Sequence, residues 1–178
     1  MDGETKQLID ILPDRRLPHL EKYFSGFSLK NRENVRFVVT DIYRPYIILT
    51  KKLFPNAKIV LDKFHLVQLI GKAFQKIRIR IMNQLKNQYN GTYYRRLKKY
   101  WKLLQKNRFK LNYEHKYWRA GFKNYLSEKE VLERLLTYST ELEEAYSVYQ
   151  NILHAFQEKD YPLFLELISQ PSTLKEFI

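Results

Sequence analysis

Two aspartates stand where a β-branched, apolar run gives out. Residues 35–40 read VRFVVT and are followed by Asp41; residues 58–61 read KIVL and are followed by Asp62. A carboxylate at the carboxyl end of a buried strand lies where open α/β sheets form their sites. Carboxylate oxygens are also the ligands that hard cations such as Mg²⁺ prefer. The same placement is a common way to start a loop, because Asp caps the helix that follows. On their own, the two acids need a third ligand nearby to make a Mg²⁺-dependent phosphotransfer site. His65 has metal-ligand chemistry, but a lone His after an Asp is more often a packed or capping residue.

The other chemistry on offer is electrostatic. The chain of 178 residues has a net charge of +13 and a pI of about 9.7. Residues 63–125 hold 17 Lys and Arg against a single acid, a net of +16, whereas residues 1–62 net +3 and residues 126–178 net −6. A cationic block of that density attracts a polyanion through counterion release. A solvated basic helix face is the plainer account of such a block. Within it, Arg78, Arg80, Arg95, Arg96, Lys98, Lys99 and Lys102 are the candidate phosphate contacts, because long cationic side chains need no special burial to reach a backbone phosphate. Tyr93, Tyr94, Tyr100, Trp101, Tyr113, Tyr117 and Trp118 interleave with them. They are suited to stacking on exposed bases, although aromatics at helical spacing are more often core.

The elements that must position these groups follow from periodicity. Residues 5–12 read as a short strand stopped by Pro13, and LPHLEKYF as a short helix closed by Ser25-Gly26. VRFVVT and KIVL are nearly all apolar, as in parallel strands buried on both faces. The segment between them has helical spacing with Pro45 in its first turn, and FPNA makes a turn. Strand, helix and strand over about thirty residues form a right-handed βαβ unit. After Lys63 no further strand is expected. Residues 63–88 read as one amphipathic helix with Phe64, Val67, Ile70, Phe74, Ile77 and Ile81 on a face. Asn90-Gly91 breaks it, and a second basic helix covers 92–106. Residues 107–125 are aromatic, basic and irregular. Ser127-x-x-Glu130 and Thr140-x-x-Glu143 are capping boxes that open helices at 128–137 and 141–157. Tyr161-Pro162 starts a last short one. The fold class is therefore α/β with predominant helix, divided at 1–62 and 63–178.

The motifs extend beyond single residues. Val38, Val39, Asp41, Tyr43, Tyr46, the Phe54-Pro55-Asn56-Ala57 turn, Ile59, Val60, Asp62, Phe64, His65 and Arg78 occur in uninterrupted order. This pattern resembles the central signature of the ISL-three-type insertion-sequence transposases. LLTYSTELEEAYSVYQNIL is similar to the helical insertion of the same family. The resemblance implies a partial RNase H-like sheet followed by an all-helical insertion region. It also implies a DDE mechanism in which three carboxylates hold two Mg²⁺ ions at a phosphodiester. Asp41 then matches the second acid and a metal ligand, and Asp62 and His65 match a motif near the site.

The resemblance leaves two acids unplaced. The first belongs on a strand before those seen here, and the last is a Glu in an E-G-x-N motif that does not occur. Glu158, Glu166 and Glu176 lack that context. The chain thus reads as an internal, truncated piece of a mobile-element enzyme: DNA-binding, inactive by itself in DNA transposition or recombination, and not expected to retain Mg²⁺. Its partners would be DNA, itself or a full-length transposase. The alternative is a stand-alone helical nucleic-acid-binding or regulatory protein whose βαβ unit is scaffold.

Composition excludes several other classes. The absence of cysteine removes disulfides and thiolate metal sites and fits a reducing cytoplasm. No apolar run approaches a membrane span, and the polar, acidic N-terminus is not a signal peptide.

Overall fold

The computed structural model describes residues 7, 8 and 10–169. The chain divides into two compact units, residues 1–66 and 67–178.

In the first unit, α1 (Leu17–Ser25) starts with Pro18 in its first turn, where a missing N–H costs nothing. α2 (Leu29–Glu33) is capped by Ser28, whose hydroxyl accepts from the Asn31 N–H. β1 (Phe37–Thr40), α3 (Arg44–Leu53) and β2 (Lys58–Leu61) form the expected strand–helix–strand unit, with β1 and β2 parallel and Phe37 opposite Lys58. α3 admits Pro45 in its first turn. Glu33 lends its carbonyl to the Asn56 side chain at 3.2 Å, which fixes the FPNA turn to the end of α2.

The strands are not buried on both faces, as their composition suggests. In β1, Phe37 is 61% exposed and Val39 70%, while Val38 and Thr40 are half-buried. The cause is coverage. Parallel strands lose both faces to solvent exclusion only when helices lie on each side. Here α1 and α3 flank one face and leave beside it an apolar cavity of about 590 Å³, lined by Leu20, Phe24, Val38, Leu49 and Leu53 among others. Gln7, Leu8 and residues 10–12 are not in a strand. The remainder of the strand expected there (residues 5, 6 and 9) lies outside the described residues, as does Glu176.

α4 (Lys63–Gln84) runs from the first unit into the second. Its predicted apolar stripe holds at Ile70, Phe74, Ile77 and Ile81, all buried, but Phe64 is solvent-exposed. Tyr89, Asn90 and Gly91 all take left-handed backbone angles, and Gly91 is the one of the three that does so without a Cβ penalty. This reversal admits α5 (Thr92–Lys99) and α6 (Trp101–Gln105), two helices with a break at Tyr100 where the periodicity predicts one.

The second unit is not wholly helical. β3 (Tyr117–Arg119) and β4 (Asn124–Leu126) pair antiparallel, with Trp118 opposite Tyr125. They occupy the stretch that reads as irregular in sequence. α7 (Glu128–Leu136) opens with the predicted capping box, Ser127 and Glu130 each accepting from the other's backbone N–H. α8 (Thr140–Glu158) starts one residue earlier than expected. Its cap is Ser139, which accepts from Leu142 N–H, so Thr140 is helical and the second box does not form. α9 (Tyr161–Ser169) follows a left-handed Lys159.

Phe74 of α4 stacks flat on Tyr149 of α8, with centroids 4.8 Å apart. Leu97, Leu104, Val131, Leu135, Leu142 and Ile152 complete that core. Gln150 ties its polar side: its amide oxygen accepts from Arg108 N–H at 2.9 Å and its amide nitrogen donates to the Lys106 carbonyl at 3.0 Å.

Candidate functional site

Parallel pairing puts the two aspartates at one end of the sheet. Thr40 is opposite Leu61, and the Asp62 N–H donates to the Thr40 carbonyl at 3.0 Å, so Asp41 and Asp62 leave adjacent strands at the same level. Their side chains do different things. Asp62 is the cap of α4. One carboxylate oxygen accepts from Phe64 N–H at 2.9 Å, and the other lies 2.9 Å from His65 Nδ1. The Phe64 N–H and then the His65 ring hold its carboxyl below the usual carboxylate range. The Asp62-x-Phe64-His65 motif is thus a helix start in which the acid and the imidazole satisfy each other.

Asp41 has no such occupation. Its Oδ1 is buried and has no hydrogen-bond partner. The residue lines a cavity of about 590 Å³ with Arg15, Arg16, Tyr43 and Tyr46. Arg16 is already paired with Asp14 at 2.7 Å, which holds the Asp14 carboxyl down at about 2, and the Tyr46 hydroxyl donates to the Arg15 carbonyl at 3.1 Å. A buried, unpartnered carboxylate oxygen beside a cavity is suited to a cation. One such group does not complete a site, and among the described residues no group of three His, Cys, Asp or Glu side chains could hold a metal ion. These residues therefore do not by themselves fit a two-metal centre.

Folding also redistributes the cationic block. Carboxylates from the acidic C-terminal third return to it: Glu128 pairs with Lys106 at 2.5 Å, Glu130 with Lys116 at 2.9 Å, and Glu141 with Arg80. Arg78 is 7% exposed. It donates to the Leu97 carbonyl at 3.0 Å and through Nε to Gln75 at 2.6 Å. Arg78 is therefore a buried link from α4 to the last turn of α5, not the exposed phosphate contact that its charge suggests.

The other predicted cations lie on α5 and α6. Lys98, Lys99 and Lys102 are exposed, near the rings of Tyr94, Tyr100 and Trp101 respectively. Arg95 is exposed and donates to the Thr92 hydroxyl at 3.3 Å. Arg96 is drawn inward. It donates to the Gly121 carbonyl at 2.7 Å and the Tyr138 hydroxyl at 2.8 Å, with its guanidinium 4.2 Å from the centre of the Phe122 ring.

Arg95, Arg96 and Lys99 meet the turn between β3 and β4 across a cavity of about 540 Å³, whose remaining cation is Lys123. No carboxylate is among its lining residues. Sequence reasoning misses Lys123. The only local signal for it is Gly121, a turn residue between the β-formers of YWR and NYL.

A family model described as transposase, of the ISL-three DDE type, matches residues 1–173. The chain belongs to that transposase family. The match spans both units, so it covers the Asp41 end of the sheet and the cation-lined cavity alike. No curated protein and no solved structure matches the chain. Among the described residues, no helix is long and apolar enough to cross a membrane.

Proposed function

We propose that the chain acts on DNA as part of a DDE transposase: its first unit belongs to an RNase H-like core and supplies one carboxylate, Asp41, and its second unit holds the phosphate backbone. The observation that carries this reading is the cation-lined cavity between α5 and the β3–β4 turn, together with the exposed Lys98 and Lys102 on the neighbouring surface. Cations presented without competing carboxylates bind phosphates by charge, independent of base sequence. In a complete site of this class, bound Mg²⁺ would supply Lewis-acid chemistry, and Asp41 would be one of the residues that hold it. This chain's contribution is the unpartnered Asp41 oxygen.

The chain by itself binds DNA and does not cut it. The partners are DNA and, through the edge of β1 that no described strand covers, a second copy or a full-length transposase. A scaffold role for the βαβ unit is the second reading, favoured by the mutual satisfaction of Asp62 and His65. Duplex binding by the full chain, followed by fluorescence anisotropy, and nicking of supercoiled plasmid with Mg²⁺ or Mn²⁺ test the proposal together. Binding without nicking is expected. Absence of binding to duplex and to single-stranded DNA alike would refute it.

A further inference from the structure

The β3–β4 hairpin presents two large aromatic side chains to solvent. Trp118 and Tyr125 are cross-strand partners, 55% and 62% exposed, with ring centroids 5.3 Å apart. Side chains alternate faces along a strand. On the opposite face Leu126 is 2% exposed and packs inward while its partner Tyr117 is 56% exposed, so that face is partly covered and both rings of the Trp118–Tyr125 face are open to solvent. Core packing, the usual reason for aromatics in such a stretch, does not account for this pair.

The hairpin is also held rigidly. Arg96 donates to the Gly121 carbonyl, and Phe122 lies under the guanidinium of Arg96 at 4.2 Å, with that of Arg134 at 5.8 Å. A Cβ on Gly121 would come within 3.1 Å of the Tyr100 ring, so the turn packs tightly against the side chain at the break between α5 and α6. The Phe122 N–H closes the turn on the Arg119 carbonyl at 2.8 Å.

Cations surround the same turn. Its four residues, 120–123, form one wall of the cavity that holds Arg95, Lys99 and Lys123. Trp118 and Tyr125 each stand two residues from that wall, about 7 Å along a strand, on the scale of one nucleotide. Aromatic faces beside a cationic groove are the two components of single-strand recognition: bases stack on the rings while the backbone runs along the charge. A duplex offers its phosphates to the same cations but keeps its bases stacked inside.

We infer that the outward face of the β3–β4 hairpin is a binding site for single-stranded DNA, with Trp118 and Tyr125 as stacking platforms and Arg95, Lys99 and Lys123 taking the adjoining phosphates. Arg96 is a positioning residue that fixes the turn. The inference rests on the proposed DNA-binding reading and adds a preference for unpaired strands.

The chain has two tryptophans, so Trp101→Phe leaves Trp118 as the sole indole reporter. The full chain with this change is titrated with an oligothymidine strand and with a duplex of equal length. The strand is expected to quench Trp118 emission and to bind more tightly than the duplex. In a chain that retains Trp101, the double variant Trp118→Ala/Tyr125→Ala, followed by anisotropy, should lose on the order of tenfold in single-strand affinity with duplex affinity little changed. Trp118→Phe should restore most of the loss, and an unchanged circular dichroism spectrum would show that the fold is intact. Lys99→Glu/Lys123→Glu should weaken both ligands. Equal binding of strand and duplex without quenching would overturn the inference and leave the DNA-binding reading in place. Binding of neither would overturn both.

Discussion

Arg78 in α4 donates to the carbonyl of Leu97, 3.0 Å away in the last turn of α5. That carbonyl is one of the four at a helix end with no partner inside the helix, and Leu97 is fully buried. A cation there also complements the helix dipole. Burial pushes the guanidinium below its ordinary value, from a start so high that it stays charged. The position of Arg78 joins the helix after the sheet to the helix that carries the exposed cations.

Arg78→Ala leaves the Leu97 carbonyl buried and unsatisfied, which costs about 2–3 kcal/mol. Urea unfolding of the full chain should show that loss, and Arg78→Lys should recover only part of it because an ammonium cannot reach Gln75 and Leu97 with the same fork. A stability change below about 0.5 kcal/mol would mean that the buried link does not hold α5.

Among the described residues no strand covers the outer edge of β1, which makes a second prediction. The carbonyls of Arg36 and Thr40 accept from β2, so by alternation the amides of Phe37 and Val39 point away from it. Hydrogen exchange should be fast at Phe37 and Val39, and slow in α4 near Phe74 and in α8 near Tyr149. An exposed apolar edge also pairs with other chains. Sedimentation should show concentration-dependent association that Val39→Lys reduces. Deep protection at Phe37 and Val39 in a stable monomer would show that this edge is covered.

Acid should act on the second unit through Glu130. The Ser127 N–H, and then Lys116, hold its carboxyl at about 2 against an ordinary value of 4.5. A folded value below the unfolded one gives stability that is complete above the unfolded value and is lost as pH falls through the folded one. Thermal melts should therefore fall between about pH 4.5 and about pH 2, and Glu130→Gln should flatten that part of the curve. An identical acid dependence in Glu130→Gln would assign it to other carboxylates.

Catalysis gives the fourth prediction. Under the proposed assignment of Asp41 as the one catalytic acid this chain supplies, the full chain should not nick supercoiled plasmid with either Mg²⁺ or Mn²⁺. Nicking that Asp41→Asn abolishes would show that further ligands lie within this chain.

Strong local signals made much of this legible in sequence. Pro45, the FPNA turn and two apolar runs define the βαβ unit, and the Ser127 capping box sets the start of α7 correctly. Thr140 misleads because Ser139 beside it is an equally good cap, and only the folded backbone selects between them. The β3–β4 hairpin escapes because each strand is three residues long, too short for alternation to stand out among aromatic and basic neighbours. The surroundings of the candidate cations were not legible. Linear charge does not reveal that Glu128, Glu130 and Glu141 return to neutralise part of the block, or that Arg78 and Arg96 turn inward.

The central claim, that the second unit holds DNA through phosphate contacts, is tested most directly by duplex affinity measured across salt concentration. The logarithm of affinity should fall steeply and linearly with the logarithm of salt, by roughly 0.9 per neutralised phosphate. The triple variant Arg95→Glu/Lys98→Glu/Lys99→Glu should bind more weakly on every sequence and with a shallower slope, while Arg78→Lys keeps the slope of the parent chain. An affinity insensitive to salt, or a triple variant indistinguishable from the parent, would contradict it.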